Sequence, residues 1–478
     1  MTALPNDLCT LRQVFFHTTD KRQIFMRQSI IATGNRSLNR EYSWARDPAL
    51  FVMKTPAMTI DVHWPRFFRR LFMSKPSQAN PANPLAAPLA GVRVLELGQI
   101  AAGPFTASLL ADLGADVVKI ERPDGGDGMR QWPPLNKTDD GGVYSENFAS
   151  VNRNKRSVAL DLKSPDDIAL LKSLAAKADI LVENYRPGVL PRLGLGYDDL
   201  RAVNPKLIYC SISGYGQTGP YARKGAFDVT VQAIAGIMSV TGEPGAPPVK
   251  CGVPIGDFCA GLYAGFSVLA MLRNAEQTGE GTHIDCSMLG SLLGVSALQT
   301  SEYFGNQIPP ERLGSAHPRN APYQAFEAAD THFVIAAGND KLWHEVCAAV
   351  GMEELAMDAR FITQADRAKN QAALVAILAP VFKNRNAADW LVEMDRRNVP
   401  CAPINDFSEI LSDPHVQHMG IVKPLELPNG NKTNSVSFPI AISGVDTSRM
   451  RPPPVLGAHN DEIIAEWLSK HSMADKDA

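Results

Sequence analysis

The sequence holds no CxxC pair, no HxxxH or HExxH pattern and no run of 18 consecutive apolar residues. Each absence excludes something. The seven cysteines, at positions 9, 210, 251, 259, 286, 347 and 401, are odd in number and scattered. That spacing suits buried thiols in a reduced compartment, and builds neither a disulfide frame nor a zinc site. The ten histidines add no ligand pattern, so no metal is expected. Without a long apolar run, the sequence carries no signal for a transmembrane helix. A net charge of −3 and a pI near 6.4 give no reason to expect nucleic acid or an anionic membrane as partner.

What is present is ample for a globular protein. With 478 residues, 45% apolar and 20% charged, the chain has a sizeable core and the length for two or more domains. Residues 1–87 stand apart, with twelve Lys/Arg against five Asp/Glu, no sustained periodicity, and a Pro/Ala/Asn-rich stretch from Pro76 to Pro88. Within them, Trp64-Pro65-Arg66-Phe67-Phe68-Arg69-Arg70-Leu71-Phe72 has the makings of a basic amphipathic turn or two. Arg-rich, acid-poor leaders include organelle transit peptides, but this one shows no cleavage logic. It reads as a disordered appendage outside the fold, or as a start placed too early, with Met73 as the true one. The expected location is cytoplasmic, or mitochondrial if residues 1–72 are a transit peptide.

From Gly91 the pattern becomes regular. Strands are expected at 92–97, 116–121, 157–162, 180–183, 207–211 and 283–286, with helices at 104–113, 165–178, 189–193 and 258–276. Such alternation implies a mostly parallel sheet covered on both faces. Pro309, Pro310, Pro318 and Pro322 mark a change of texture. Beyond them, a strand at 332–337 and helices at 341–350, 371–382 and 387–397 predict a smaller α+β domain. The expected fold class is α/β. Its layout is an extension and linker at 1–87, a large Rossmann-like domain at 88–305, a small α+β domain at 306–420, and a return to the large domain at 421–478.

The first unit invites a dinucleotide reading. Its turn, Gly98-Gln99-Ile100-Ala101-Ala102-Gly103-Pro104, lacks the glycine spacing that lets backbone approach a pyrophosphate. The helix start there can still meet a phosphate or a carboxylate. Basic residues follow the strand ends, where α/β folds bind ligands: Arg122, Lys163, and Asn184-Tyr185-Arg186, with Arg192 beyond. Singly, each reads as a solvated charge; together they describe a cationic rim suited to a phosphorylated cofactor. Asp257 stands where a proline-broken loop gives way to a long apolar helix. Locally it reads first as a helix cap. The helix dipole, which favours its ionised form, and small neighbours also make it a good nucleophile. Asp228 reads equally as a substrate-orienting group or as an anchor of its own helix, since a buried Asp needs a partner either way.

These blocks carry a family resemblance. From about Leu89 to Leu468 the sequence resembles the class III CoA-transferases. The resemblance runs through Val94-Leu95-Glu96-Leu97 to Ala102-Gly103-Pro104, Leu113-Gly114-Ala115-Asp116-Val117-Val118-Lys119-Ile120-Glu121-Arg122-Pro123, and Asn152-Arg153-Asn154-Lys155-Arg156-Ser157. It continues through Val182-Glu183-Asn184-Tyr185-Arg186-Pro187-Gly188 and Gly214-Tyr215-Gly216-Gln217-Thr218-Gly219-Pro220. It implies a Rossmann-like domain, a small domain and an interlocked homodimer. Coenzyme A or acyl-CoA is then a substrate held between domains, and no cofactor is permanently bound. The resemblance implies Asp257 as the catalytic aspartate. It implies CoA contacts at Arg122, the run Leu160-Asp161-Leu162-Lys163, Asn184, Tyr185 and Arg192, and backbone contacts beside the thioester at Ala101 and Ala102. Two departures count against oxalate as a substrate. Ala101 stands where formyl-CoA:oxalate enzymes carry glutamine, and their tetraglycine loop is replaced by Ala336-Ala337-Gly338-Asn339-Asp340.

The implied mechanism runs through aspartyl anhydrides and an aspartyl-CoA thioester, dividing one hard exchange into easier ones. Racemases of the same superfamily pair the aspartate with a histidine in Gly-His-Asp. Here Ala226-Phe227-Asp228 puts a phenylalanine where the second base is needed. A non-catalytic acyl-CoA-binding protein is the remaining alternative, set against an intact nucleophile and rim. Gly314-Ser315-Ala316-His317, Ala321-Pro322-Tyr323-Gln324-Ala325-Phe326 and the Arg451–His459 stretch most resemble the branch that moves CoA from succinyl-CoA to small dicarboxylic acids, glutarate and hydroxymethylglutarate among them. A distal carboxylate needs a cation or donor, for which Arg312, His317 and Arg319 are candidates, with Gly338 and Asn339 as further substrate contacts. For His317 the plainer reading is a loop residue that caps a turn.

Overall fold

The structure, a computed structural model, describes residues 87–137 and 142–469, together with the backbone of five short strands between 14 and 61. The amphipathic turn expected at 64–72 lies outside the described residues. The chain divides into two units, residues 1–82 and 83–478. In the first, Val14–Asp20, Gln23–Ile30 and Leu38–Tyr42 form an antiparallel sheet, and Val52–Thr55 pairs with Met58–Asp61. These strands fall in the stretch expected to be a disordered appendage; residues such as Val14, Phe15, Phe16 and Thr18 supply the β propensity.

The second unit is built on six strands: β1 (Arg93–Glu96), β2 (Asp116–Glu121), β3 (Arg156–Ala159), β4 (Ile180–Glu183), β5 (Ile208–Ser213) and β6 (Thr282–Ser287). Their order is 3-2-1-4-5-6, with every neighbouring pair parallel. This is the doubly wound Rossmann order, in which ligands bind beyond the carboxyl ends of the strands where the order reverses, here between β1 and β4. Both faces are buried, which is why the strands read as nearly unbroken apolar runs. Val94, Val117, Val182 and Ile208 pack to one side, and Leu95, Val118, Val158 and Leu181 to the other.

Three helices position the site: α1 (Ala102–Asp112), α2 (Asp228–Ile234) and α3 (Ile255–Thr278). The start of α3 precedes the expected residue 258, because Pro254 occupies the N-cap. Small residues let α3 settle onto α1. A side chain at Gly261 would stand 2.8 Å from the Phe105 ring and 3.2 Å from the Ala102 carbonyl. Thr106 ties the pair by donating to the carbonyls of Ala102 (2.9 Å) and Gly261 (3.2 Å). By length and composition α3 is apolar enough to cross a membrane, although Asp257 and Arg273 interrupt any 18-residue apolar run. Its Ala260, Ala264 and Val268 face is buried in the sheet core, while Leu262, Tyr263 and Phe266 are exposed.

A second core forms around an antiparallel sheet of β7 (Tyr323–Glu327), β8 (His332–Ala336) and β9 (Cys401–Pro403). Phe333, Trp343, Phe361, Phe382 and Trp390 fill it. The α/β architecture with a smaller α+β part agrees with the sequence expectation. A final helix, α4 (Asn460–Leu468), packs along the edge strand β3. Asn460 accepts the Ala159 N–H at 2.9 Å and donates back to its carbonyl at 3.2 Å, which satisfies part of an otherwise open edge.

Candidate active site

A cavity of about 330 Å³ opens at the carboxyl ends of β1, β4 and β5. Its walls are Gln99–Ala102 after β1, Asn184–Pro187 after β4 and Ser213–Tyr215 after β5, with Asp228 of α2 and Asp257 of α3. The two loops that flank the reversal of strand order therefore face one another across it.

Asp257 is the third residue of α3, and its carboxylate makes no hydrogen bond among the described residues. The cap expected of it comes from elsewhere. Asp228 accepts the Gly256 N–H on Oδ1 at 2.8 Å and Gln232 Nε2 on Oδ2 at 2.6 Å. Gln232 in turn accepts the Cys251 N–H at 2.9 Å. Glycine is required at 256, since a Cβ there would stand 2.9 Å from Asp228 Oδ1 and 3.2 Å from Met288 Cε. A carboxylate from α2 thus satisfies the start of α3 and leaves Asp257 uncommitted. Burial, and secondly the Asp228 charge, push the Asp257 pKa up to about 6. At neutral pH the group is mostly ionised yet poorly solvated, which makes it more basic than a surface carboxylate.

The opposite wall is the turn between β1 and α1. Asn184 clamps Gln99 from both sides, accepting its N–H and donating to its carbonyl, each at 2.8 Å. Ala101 and Ala102 are buried, and their N–H groups sit at a helix start, where no intrahelical acceptor exists. Two cations also line the cavity, Arg186 and Lys224. Lys224 Nζ lies 5.0 Å from the Tyr221 ring and 5.9 Å from that of Tyr215. The cavity combines a desolvated carboxylate, the start of a helix with its N–H donors, and positive charge for anionic groups.

A model of CoA-transferase family III matches residues 89–460. The chain belongs to that family. It is 40% identical over 381 residues to a succinate–glutarate CoA-transferase of Agrobacterium fabrum, covering 79% of this chain and 95% of the relative. Against the human succinyl-CoA:glutarate CoA-transferase it is 38% identical over 382 residues, 80% of this chain and 86% of the relative. The crystal structure of a CAIB/BAIF family protein from Brucella suis superposes with a TM-score of 0.72 at 38% identity, covering 80% of this chain and 99% of that one.

As a class III CoA-transferase the protein is an enzyme, and CoA thioesters are the substrates of its family. Of the residues singled out in the sequence, Ala101, Ala102, Asn184, Tyr185, Arg186, Phe227, Asp228 and Asp257 meet in the cavity. The others do not line it. Arg122 is exposed and donates to the Gly126 carbonyl at 3.0 Å. Leu160 is buried in the sheet core, and Asp161 accepts the Lys163 N–H at 3.0 Å in the turn after β3, which also contains Leu162. Arg192 is exposed at the end of a short helix, Val189–Arg192.

The residues offered for a distal carboxylate have local partners. The His317 ring stacks on Tyr323, centroids 5.0 Å apart, and its Nδ1 accepts the Arg319 N–H at 3.1 Å. Arg319 pairs with Glu302, and Arg312 donates to the Ala246 carbonyl at 2.8 Å. Asn339, next to Gly338, caps the helix Asp340–Val350 by accepting the Leu342 N–H at 2.9 Å. Sequence reasoning missed Gln99, Ile100, Lys224 and Met288 as cavity residues. The usable signal was the Rossmann order, which brings the loops after β1, β4 and β5 together.

Proposed function

We propose that this enzyme moves CoA from an acyl-CoA, succinyl-CoA foremost, to a small dicarboxylic acid, with Asp257 as the covalent carrier. The observation that carries the reading is the state of Asp257, whose carboxylate is unbonded, desolvated and lines the same cavity as Ala101 and Ala102. Its carboxylate adds to the thioester carbonyl and expels CoA thiolate, leaving a mixed anhydride. The thiolate then adds to the aspartyl carbonyl, which frees the donor acid as its carboxylate and leaves an aspartyl-CoA thioester. The acceptor carboxylate displaces the thiolate to form a second anhydride. Attack by thiolate on the acceptor's carbonyl releases the new acyl-CoA and restores Asp257. Each addition builds charge on a carbonyl oxygen, which fixed N–H donors stabilise.

The names of the relatives support a dicarboxylate acceptor, as do Arg186 and Lys224, which are free to meet anionic groups. Arg122, the Leu160–Lys163 run and Arg192 follow strands or loops on the same carboxyl edge, and we assign them to the CoA nucleotide. The racemase alternative lacks its second base, since Phe227 lines the cavity and no histidine does. We also propose a homodimer. Exposed apolar residues on α3 (Leu262, Phe266) and on the helix Ala297–Asn306 (Leu298, Phe304) form the kind of surface that a second copy covers. A reducing cytoplasm suits the six described cysteines, all unpaired.

The test is to incubate the protein with succinyl-CoA, add hydroxylamine or borohydride, and map the product by mass. Modification of Asp257 is the expected result. No adduct, together with α-proton exchange into deuterated water, would replace the transferase by a racemase. Sedimentation velocity checks the dimer.

A further inference from the structure

The turn that faces Asp257 is held in a conformation its own residues disfavour. Ile100 has φ +65°, the left-handed region, which a β-branched residue adopts only when its surroundings impose it. The constraint is visible. The Ile100 N–H donates to both carboxylate oxygens of Asp127, each at 3.1 Å. Asp127 is buried and is itself fixed by the Met129 N–H at 2.9 Å and by Lys119 Nζ at 3.0 Å. Lys119, fully buried, also donates to the Gly98 carbonyl at 2.8 Å and to Glu96 at 2.7 Å. One ammonium group therefore fastens the turn twice, at the Gly98 carbonyl directly and at the Ile100 amide through Asp127.

None of these charged groups lines the cavity. The cluster ends on two backbone atoms of the turn, one of them in Ile100, a left-handed residue that lines the cavity. What the left-handed residue controls is the plane of the next peptide. Were Ile100 to relax to the right-handed region, that plane would rotate and turn the Ala101 N–H with it.

We propose that Asp127 is a positioning residue for catalysis: braced by Lys119, it keeps Ile100 left-handed and so aims the N–H groups of Ala101 and Ala102 at the reacting carbonyl oxygen. The proposal rests on the reading of Asp257 as nucleophile. Asp127 touches no substrate. Its effect belongs to the step in which charge develops on oxygen, and so to kcat rather than to binding.

The experiment compares Asp127→Asn, Ile100→Gly and Ile100→Pro with the wild-type enzyme for kcat, KM for the acyl-CoA and the rate of Asp257 labelling. Asp127→Asn should lower kcat and labelling about 30-fold, with KM within about threefold, as expected when an oxyanion donor is misaligned rather than removed. The Ile100 pair applies the same test without touching a buried charge, and decides the matter should Asp127→Asn fail to fold. Glycine adopts positive φ freely, so Ile100→Gly should lose much less kcat than Ile100→Pro. Proline, locked near φ −65° and lacking the N–H, should lose about 100-fold. A kcat within twofold of wild type in folded Asp127→Asn, a loss confined to KM, or equal activity of the two Ile100 variants would each overturn the proposal. If wild-type Asp257 takes up no label, the nucleophile reading itself fails. Normal wild-type labelling with unaffected variants removes only the role of Asp127.

Discussion

Two groups of carboxylates stand on either side of the same turn, and their surroundings give them opposite characters. Behind the turn, Glu96 and Asp127 are fully buried with cations in contact. Lys119 Nζ lies 2.7 Å from Glu96 and 3.0 Å from Asp127, and Lys155 Nζ lies 2.7 Å from the other Glu96 oxygen. Although burial disfavours its charge, the neighbouring carboxylates, Glu96 above all, hold the Lys119 pKa above its usual range. In front of the turn, Asp257 has no cation in contact, only burial and a second carboxylate, Asp228, to raise its pKa. A buried carboxylate with a cation is a brace, and its charge is spent on holding backbone. Asp257, without one, keeps its basicity; between these two groups the sign of the nearest charge separates the brace from the proposed nucleophile.

The sharpest way to break this comparison is to remove the unpaired member. Asp257→Asn should lower kcat at least about 10³-fold while acyl-CoA affinity stays within about threefold, because a covalent carrier is lost and the binding rim is not. Steady-state kinetics and calorimetric titration check the two halves. Next in size is removal of a brace. Lys119→Met leaves Glu96 and Asp127 short of a partner and should cost about 3–5 kcal/mol in urea unfolding, the usual penalty for orphaning a buried charge.

Asp257→Asn should have the opposite effect on stability, a gain of about 1–2 kcal/mol at pH 8. The sign follows from linkage. The folded pKa of about 6 lies above the ordinary 3.8, so the native state binds more protons between these values and loses stability as pH rises through 6. The advantage of the amide should therefore grow across that window and vanish near pH 4. A variant no more stable than wild type at pH 8 would mean that Asp257 is not strained by its site. The smallest effect concerns the neighbour. Asp228→Asn keeps an oxygen for the Gly256 N–H but removes the like charge, so the acid limb of kcat/KM should move down from about 6 by roughly 0.5 unit. An unmoved limb would leave burial as the whole cause of the raised pKa.

Much of this was legible in the chain. Val94-Leu95 and Val117-Val118 read as buried strands because a sheet covered on both faces tolerates no alternation, and Asp257 was visible because a carboxylate at the start of a glycine- and alanine-rich helix is chemically conspicuous. What is not legible shares a cause. Locally Asp257 reads first as a cap, whereas the Gly256 N–H is taken by Asp228, far upstream in the chain. Charged loop residues such as His317 and Arg319 look free until their partners, Tyr323 and Glu302, are in view. Lys224 went unnoticed in a loop with no motif of its own.

The sequence by itself determined the alternation of strand and helix, the family, and Asp257 as the candidate carboxylate for the proposed chemistry. These depend on residue type and near-neighbour spacing, which a linear chain displays in full. Only the tertiary structure decided what state that carboxylate is in. The approach of α3 to α1 across Gly261, the capping of α3 by Asp228 and the left-handed brace at Ile100 each join residues distant in sequence. The energies that set a pKa or aim an N–H group fall off over a few ångströms of space, not of chain.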